Sequence, residues 1–241
     1  MIQRRPNSMP DIAAQLEATR ARIAQAVHDA KRRPNSVTLL AVSKTCPAEA
    51  VRTAFAAGQR AFGENYVQEA LDKIAALADL RSQLEWHFIG PLQSNKTRGV
   101  AEHFDWVHSV DRLRIAQRLA EQRPADLPPL NICLQINISE EPSKSGVSLA
   151  QAPALAHAIA ALPGLRLRGL MAIPEPAAEL AEQRIPHRRL ADLFKALRAD
   201  GLDLDTLSAG MSADLEAAVL EGATLVRIGT AIFGARAYPQ V

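Results

Sequence analysis

Short apolar runs alternate along this chain with longer stretches in which apolar residues recur at helical spacing. The run VTLLAVSK, residues 37–44, is typical of a buried strand. The segment at residues 10–31 instead places Ile12, Leu16 and Ile23 near one face of an amphipathic helix. The pattern therefore predicts strands and helices in alternation.

Eight runs have the character of strands, and a helical stretch follows most of them. The predicted strands cover residues 37–44, 60–65, 84–90, 105–110, 131–139, 165–173, 205–210 and 224–234. The predicted helices cover residues 10–31, 47–57, 66–77, 91–101, 111–122, 148–161, 187–199 and 211–221, with Asp111 and Ser148 as N-cap candidates.

Alternating strands and helices predict a parallel sheet covered by helices, an α/β fold. Eight such units in 241 residues favour a TIM (β/α)8 barrel over an open doubly wound sheet. The helix at residues 10–31 would be an extra N-terminal element. No shift in composition marks a boundary, so we expect residues 1–241 to form a single domain, with the barrel over about residues 37–236.

Composition excludes several classes of function. The net charge is +2 and only 4% of residues are aromatic, which argues against a nucleic-acid surface. No window of about 18 apolar residues predicts a membrane span, and no apolar segment follows the charged N-terminus as in a signal peptide. The two cysteines and six histidines show no metal-ligand or disulfide spacing. We therefore expect a cytoplasmic protein without a metal site.

In a TIM barrel the active site lies at the carboxyl ends of the strands. The first predicted strand ends on Lys44, whose amine could act as a nucleophile at the mouth of the barrel. Polar residues and glycines gather at other strand ends: Glu64, Asn65, Ser208, Gly210, Met211, Ser212, Arg227, Gly229 and Thr230.

A phosphate site is predicted after the last two strands, where barrels often bind phosphate. Ser212 occupies an N-cap-like position at the start of a predicted helix, whose N–H groups favour an anion. Gly229 and Thr230 add a small residue and a hydroxyl. A lysine, a buried arginine and a phosphate pocket together fit pyridoxal 5′-phosphate (PLP), which carries an aldehyde, a ring nitrogen and a phosphate.

Each of these residues also has a simpler interpretation. Lys44 could be a solvated strand end, Ser212 a plain N-cap, and Gly229 a packing residue. Arg227 could pair with a carboxylate such as Glu64.

Seven motifs, in order, resemble the pyridoxal phosphate homeostasis protein family. They are AVSKT, FGENYVQEALDK, WHFIGPLQSNK, SKSGV, LRGLMAIP, LSAGMSADLEAA and VRIGTAIFGAR. The resemblance runs from about residue 37 to 236, and residues 174–205 carry no family signature. It implies a fold similar to the N-terminal barrel domain of alanine racemases.

The resemblance also implies roles for individual residues. Lys44 would hold PLP covalently as an internal aldimine, and Arg227 would face the pyridine nitrogen. Phosphate contacts would fall on Ser208, Ser212, Gly229 and Thr230, and the pocket walls on Asn65 and Met211. Lys144 resembles a family lysine near the site mouth that is associated with PLP exchange. Cys46 stands where family members often carry a second lysine, and His87 receives no chemical role.

The expected function is that of a PLP carrier in intracellular PLP homeostasis, monomeric, with delivery to apo-enzymes as a further expectation and no catalytic residue assigned. An amino-acid racemase of narrow or weak activity is the alternative. Such an enzyme needs a second base, and neither Tyr66 nor Tyr238 lies in a motif resembling one; we expect the short segment up to Val241 to leave no room for the racemases' second domain. A Schiff-base aldolase acting on a sugar phosphate is a third possibility.

Overall fold

The computed structural model describes residues 11–141 and 144–234. Eight parallel strands follow one another around a closed barrel, in which β1 pairs with both β2 and β8. The predicted TIM barrel is confirmed. The strands are β1 Thr38–Val42, β2 Ala61–Glu64, β3 Glu85–Phe88, β4 Trp106–Val110, β5 Leu130–Gln135, β6 Leu165–Met171, β7 Thr206–Ser208 and β8 Leu225–Ile228.

Nine α-helices in the described residues accompany the strands. They are α1 Ile12–Asp29, α2 Ala48–Ala56, α3 Val67–Ala76, α4 Thr97–His103, α5 Leu113–Gln122, α6 Ala152–Ala160, α7 Leu180–Ala199, α8 Leu215–Leu220 and α9 Thr230–Phe233. Short 3-10 turns at Ala78–Gln83 and Ser94–Lys96 precede β3 and α4.

Strand alternation sorts the side chains into two layers. The largest apolar cluster lies between the strands and the helices and includes Leu39, Ala41 and Phe62. The alternate positions Leu40 and Ala61 belong to a separate cluster, which fills part of the barrel lumen. This parity decides which residues at the strand ends continue towards the lumen and which face the helices.

Helix α1 packs outside the barrel through its predicted apolar face. Ile12, Leu16 and Ile23 are buried, and Asp11 caps the helix by accepting a hydrogen bond from the Ala14 N–H. Arg22 donates to both carboxylate oxygens of Glu216 at 2.6 Å and to the Ser212 carbonyl at 2.9 Å. The N-terminal helix is therefore tied to the loop before α8.

Helix α7 begins seven residues earlier than predicted. The prediction began this helix at residue 187, directly after Pro186, yet the proline lies inside the helix. A proline removes one helical hydrogen bond, and here the neighbouring bonds and the buried residues Leu190 and Phe194 still hold the helix.

The predicted starts of α4, α5, α6 and α8 and the predicted end of the last strand were also wrong. α4 begins at Thr97, after a 3-10 turn, and not near residue 91. α5 and α6 begin at Leu113 and Ala152, so Asp111 and Ser148 are not their N-caps. α8 begins at Leu215 with Asp214 at its N-cap position, because the Met211 N–H donates to the Asp214 carboxylate and closes a turn before the helix. Ser212 therefore lies in that turn. β8 ends at Ile228 and the chain turns into α9, so Thr230 starts a helix.

Candidate cofactor site

The predicted site residues come from the carboxyl ends of four neighbouring strands. β7, β8, β1 and β2 follow one another around the closed barrel. A Cβ atom added to Gly229 would lie 3.1 Å from the Val42 carbonyl oxygen, so the ends of β8 and β1 touch. This contact brings the Gly229–Thr230 segment beside the segment that carries Lys44.

Lys44 lies two residues beyond the end of β1, in a turn, and its side chain is half-buried. Lys44 has the same parity along β1 as Leu40, which belongs to the lumen cluster, so alternation directs its side chain towards the lumen. The next residue, Thr45, has φ +65°, in the left-handed region that non-glycine residues seldom adopt. The backbone around Lys44 therefore needs support from outside the turn.

A buried charge cluster stands on the helix side of the same strand ends. The Lys73 Nζ atom lies 2.6 Å from Glu64 Oε1, 3.1 Å from Glu69 Oε1 and 2.8 Å from the Ser43 carbonyl oxygen. The Ser43 hydroxyl donates to Glu64 at 2.6 Å. Glu64 thus pairs with Lys73, and the simpler interpretation that it pairs with Arg227 was wrong.

Burial dominates the electrostatics of Glu64. The residue is fully buried, and loss of hydration raises the pKa of its carboxyl group despite the opposing charge of Lys73. Its second oxygen, Oε2, has no hydrogen-bond partner within the described structure. Glu64 is therefore held through one oxygen, by Lys73 and Ser43.

Arg227 points into the lumen with its guanidinium fixed by three acceptors. Nη1 donates to the Ser208 carbonyl at 2.6 Å and to the Ser208 hydroxyl at 2.8 Å, while Nη2 donates to the Ala172 carbonyl at 2.9 Å. Burial lowers the pKa of Arg227 to about 10. The side chain therefore remains a cation at neutral pH.

A chain of polar side chains continues from Arg227 through the barrel lumen. Ser208 Oγ lies 2.8 Å from His108 Nδ1, and His108 Nε2 lies 2.9 Å from His87 Nδ1. His87 Nε2 approaches Glu85 Oε2 at 3.5 Å, near the opposite end of the barrel. We call these five residues, Arg227, Ser208, His108, His87 and Glu85, the lumen relay.

The two ends of the lumen relay fix the direction of its hydrogen bonds. A carboxylate only accepts, so the Glu85 end favours the proton of His87 on Nε2. Burial, followed by the charges of His87 and Arg227, lowers the pKa of His108 well below its ordinary value, so that ring is neutral. With Nδ1 of His87 as the acceptor, His108 donates to His87 and Ser208 donates to His108. The Ser208 hydroxyl then offers its lone pairs to Arg227.

The predicted phosphate contacts lie at and just beyond the ends of β7 and β8. Ser212 and Gly229 are half-buried, and Met211 and Thr230 are exposed. Ser208 is fully buried, and its hydroxyl is engaged by Arg227 and His108. A phosphate contact of Ser208 remains a prediction, and the structure gives this side chain a second role beside Arg227.

Asn65 bears an unsatisfied acceptor at the end of β2. Its Oδ1 atom is buried and has no hydrogen-bond partner within the described residues. A Cβ atom at Gly90 would lie 2.2 Å from the Asn65 carbonyl oxygen, so only glycine fits beside this backbone. Asn65 is thus held at the rim with one acceptor available to a ligand or a water molecule.

The remaining predicted residues lie in distinct settings. Lys144 forms ion pairs with Glu141 at 2.7 Å and Glu175 at 3.3 Å. The Cys46 thiol lies 3.7 Å from the Lys44 carbonyl oxygen. His87, for which sequence analysis found no role, is a member of the lumen relay and stacks on Trp106.

Sequence analysis missed Lys73, Glu69 and His108. Glu69 and Lys73 are four apart on a predicted helix, a spacing that signals a charged pair. His87 and His108 occupy interior positions of neighbouring predicted strands. Their pairing was therefore open to prediction, whereas the burial of Lys73 was not.

A cavity of about 670 Å³ lies between α1 and the first residues of β1 and β2, away from Lys44 and the predicted phosphate contacts, and Glu85 of the lumen relay is among its lining residues. Two of the arginines that line it, Arg20 and Arg32, already donate to backbone carbonyls. Within residues 11–141 and 144–234 no group of metal-ligating side chains comes together, and no helix has the length and apolar character to cross a bilayer.

Comparison with known proteins agrees with this geometry. The family model for the alanine racemase N-terminal domain matches residues 15–237. The pyridoxal phosphate homeostasis protein of Pseudomonas aeruginosa is 65% identical over 95% of this chain and 98% of its own length. That of Escherichia coli K12 is 59% identical over 96% of this chain and 100% of its own.

Among solved structures, PipY of Synechococcus elongatus PCC7942 with PLP bound is 40% identical. It superposes with a TM-score of 0.81 over 92% of this chain and 100% of PipY. The extent and level of these matches show that the chain belongs to the pyridoxal phosphate homeostasis protein family, which shares its barrel with the alanine racemase N-terminal domain.

Proposed function

We propose that this protein binds PLP, holds it covalently on Lys44, and takes part in PLP homeostasis. The observation that carries the proposal is the convergence of Lys44 and the fixed cation Arg227 on adjoining strands at one end of the barrel. The PLP bound to PipY and the names of the close relatives support it.

The residues at this end of the barrel fit the three functional parts of PLP. Lys44 offers an amine to the aldehyde, and Arg227 offers a charge to the ring nitrogen. Ser212, Gly229 and Thr230 offer hydroxyl and backbone donors to the phosphate, beside the turn that Asp214 closes. Asn65 and Met211 stand at the rim as walls of the pocket.

PLP supplies an aldehyde that condenses with an amine and releases one water molecule. Lys44 must lose its proton before it can attack the aldehyde, and it lies half-buried just beyond β1, the strand that pairs with the Arg227 strand β8. The Ser208 hydroxyl and two backbone carbonyls hold Arg227 in place while it remains charged.

A cationic partner disfavours a proton on the ring nitrogen. An unprotonated ring withdraws electrons weakly, so this site is poorly suited to carbanion chemistry on amino acids. We therefore infer a carrier role without amino-acid turnover. Release of PLP to apo-enzymes, a monomeric state and a cytoplasmic location form part of the same proposal.

Reductive trapping tests the attachment. The purified protein is loaded with PLP, reduced with borohydride, digested and mapped by mass spectrometry. We expect the adduct on Lys44 and its loss in Lys44→Ala. Lys144→Ala removes a different lysine, near the mouth of the site, and should keep the adduct on Lys44. An adduct found only on Lys96 or Lys144 would contradict the proposal.

A further inference from the structure

We propose that Lys73 and Glu69 are positioning residues for Lys44, which they hold through the peptide groups on either side of it. The inference rests on the proposed function, because it concerns the lysine to which PLP would attach. It adds two residues that do not themselves contact the cofactor in this account.

Lys73 holds the peptide group before Lys44. Its Nζ atom donates to the Ser43 carbonyl oxygen at 2.8 Å, and that carbonyl belongs to the Ser43–Lys44 peptide. The Lys73 side chain is only 3% exposed, and Glu64 and Glu69 neutralise it at 2.6 and 3.1 Å. A buried, doubly paired ammonium has little freedom to move, so the carbonyl it binds is fixed as well.

Glu69 holds the peptide group after Lys44. The Thr45 N–H donates to Glu69 Oε1 at 2.6 Å, and that N–H belongs to the Lys44–Thr45 peptide. The same oxygen receives the hydrogen bond from Lys73. The Glu69 carboxylate therefore connects the two supports. It binds the Lys73 ammonium, which holds the peptide before Lys44, and it binds the N–H of the peptide after Lys44.

This double support explains how a strained turn keeps one conformation. Thr45 has φ +65°, which a threonine adopts only when its surroundings compensate for the strain. The hydrogen bond from its N–H to Glu69 supplies such compensation. The cluster stands on the helix side of β1 and β2, so it can orient the Lys44 backbone without occupying the lumen.

The test separates covalent attachment from pocket binding. Attachment is followed by the rise of visible absorbance after the full-length protein, freed of PLP, is mixed with PLP. Pocket binding is measured by calorimetry with pyridoxine 5′-phosphate, which keeps the ring and the phosphate but has no aldehyde. A positioning role affects the first measurement far more than the second.

Glu69→Ala is the principal variant, because it removes the Thr45 acceptor while Lys73 keeps Glu64 and Ser43. We expect attachment to slow at least about tenfold, since a displacement of 1 Å in a reacting group can cost about a hundredfold. The affinity for pyridoxine 5′-phosphate should stay within about twofold, a change below the tenfold that 1.4 kcal/mol represents. Glu69→Gln keeps an oxygen acceptor and should restore the rate.

A second variant, Lys73→Met with Glu64→Gln, removes the hydrogen bond from Lys73 to the Ser43 carbonyl oxygen without leaving a buried charge unpaired. It should slow attachment in the same way. Ile159→Ala, in α6 on the opposite side of the barrel, is the control for a general loss of stability, because it removes buried apolar volume far from Lys44. Its attachment rate should be unchanged.

Two results would overturn the inference: an unchanged attachment rate in both cluster variants, or a parallel loss of attachment and of pyridoxine 5′-phosphate affinity. Lys44→Ala is measured alongside them. If it attaches PLP as the unaltered protein does, the failure lies in the proposed attachment site and not in the positioning residues.

Discussion

Ser208 shows how one hydroxyl can serve two buried neighbours. It accepts a hydrogen bond from Arg227 and lies within hydrogen-bond distance of His108. The family resemblance implied a phosphate contact for this serine, and neither a resemblance nor a position near a strand end reveals which partner a buried hydroxyl takes. The structure shows two protein partners for it.

Replacing Ser208 with alanine should therefore destabilise the protein even without cofactor. The change leaves a donor of Arg227 and the Nδ1 atom of His108 without their shared partner, which costs about 1–3 kcal/mol. Urea unfolding of the cofactor-free protein measures the loss. Ser109→Ala is the matched control, because Ser109 is also buried in a strand and its hydroxyl has no hydrogen-bond partner in the described structure. Equal stability of the two variants would contradict this account of Ser208.

At the scale of elements, the sequence predicted all eight strands because apolar runs of that length need burial on both faces of a parallel sheet. The barrel itself followed from their number. The starts of α7 and α8 did not follow, because they depend on contacts between distant segments. Pro186 tolerates a helix only where packing supports it, and the turn before α8 is closed by Asp214, which a sequence pattern cannot separate from a helical residue.

The Met211–Asp214 turn ties the predicted phosphate side to α7. The Asp214 carboxylate accepts from the Met211 N–H at 2.7 Å, and its other oxygen lies 2.9 Å from His187 Nε2. Burial acts to raise the pKa of Asp214, but the contacts with His187 and the Met211 N–H outweigh it, so the pKa lies below its ordinary value. Asp214 therefore holds the turn as an anion at neutral pH.

Asp214→Ala should loosen this turn and weaken PLP binding. Hydrogen bonds to charged groups contribute roughly 1.5–3 kcal/mol each, so loss of one contact to the phosphate corresponds to about tenfold or more in affinity. Equilibrium titration compares PLP with pyridoxal, which lacks the phosphate. The preference for PLP should fall in the variant and persist in Asp192→Ala, an exposed change on α7. An unchanged preference for PLP over pyridoxal in Asp214→Ala would show that this turn does not contribute to phosphate binding.

At the scale of the whole molecule, a neutral histidine in the barrel centre links stability to pH. The pKa of His108 is well below 6.5 in the folded protein and returns to about 6.5 on unfolding. Below that pH the unfolded chain takes up a proton that the folded barrel resists, so this group's contribution to stability is complete above pH 6.5 and is lost as the pH falls. Glu64, with its raised pKa, acts in the opposite direction, because the folded protein binds its proton more tightly than the unfolded chain does.

We therefore expect the free energy of unfolding to fall by at most about 1.4 kcal/mol per pH unit below pH 6.5 through His108. The comparison with His108→Gln isolates this term, because Glu64 and the other groups are present in both proteins. The transition is followed by circular dichroism and by the fluorescence of Trp86 and Trp106, which should coincide if the chain is a single domain. Identical pH profiles would show that His108 is not the group responsible.

The lumen relay also constrains how this barrel can change over evolutionary time. Four of its members, Arg227, Ser208, His108 and His87, are joined in a row by hydrogen bonds, so a substitution at any of these four leaves a neighbour without a hydrogen-bond partner in the interior. Single substitutions in the lumen relay should be deleterious, while simultaneous replacement of its members by well-packed apolar residues can be neutral or stabilising. The positions are thus coupled by epistasis, and a variant at one of them is tolerated only in the company of changes at its neighbours.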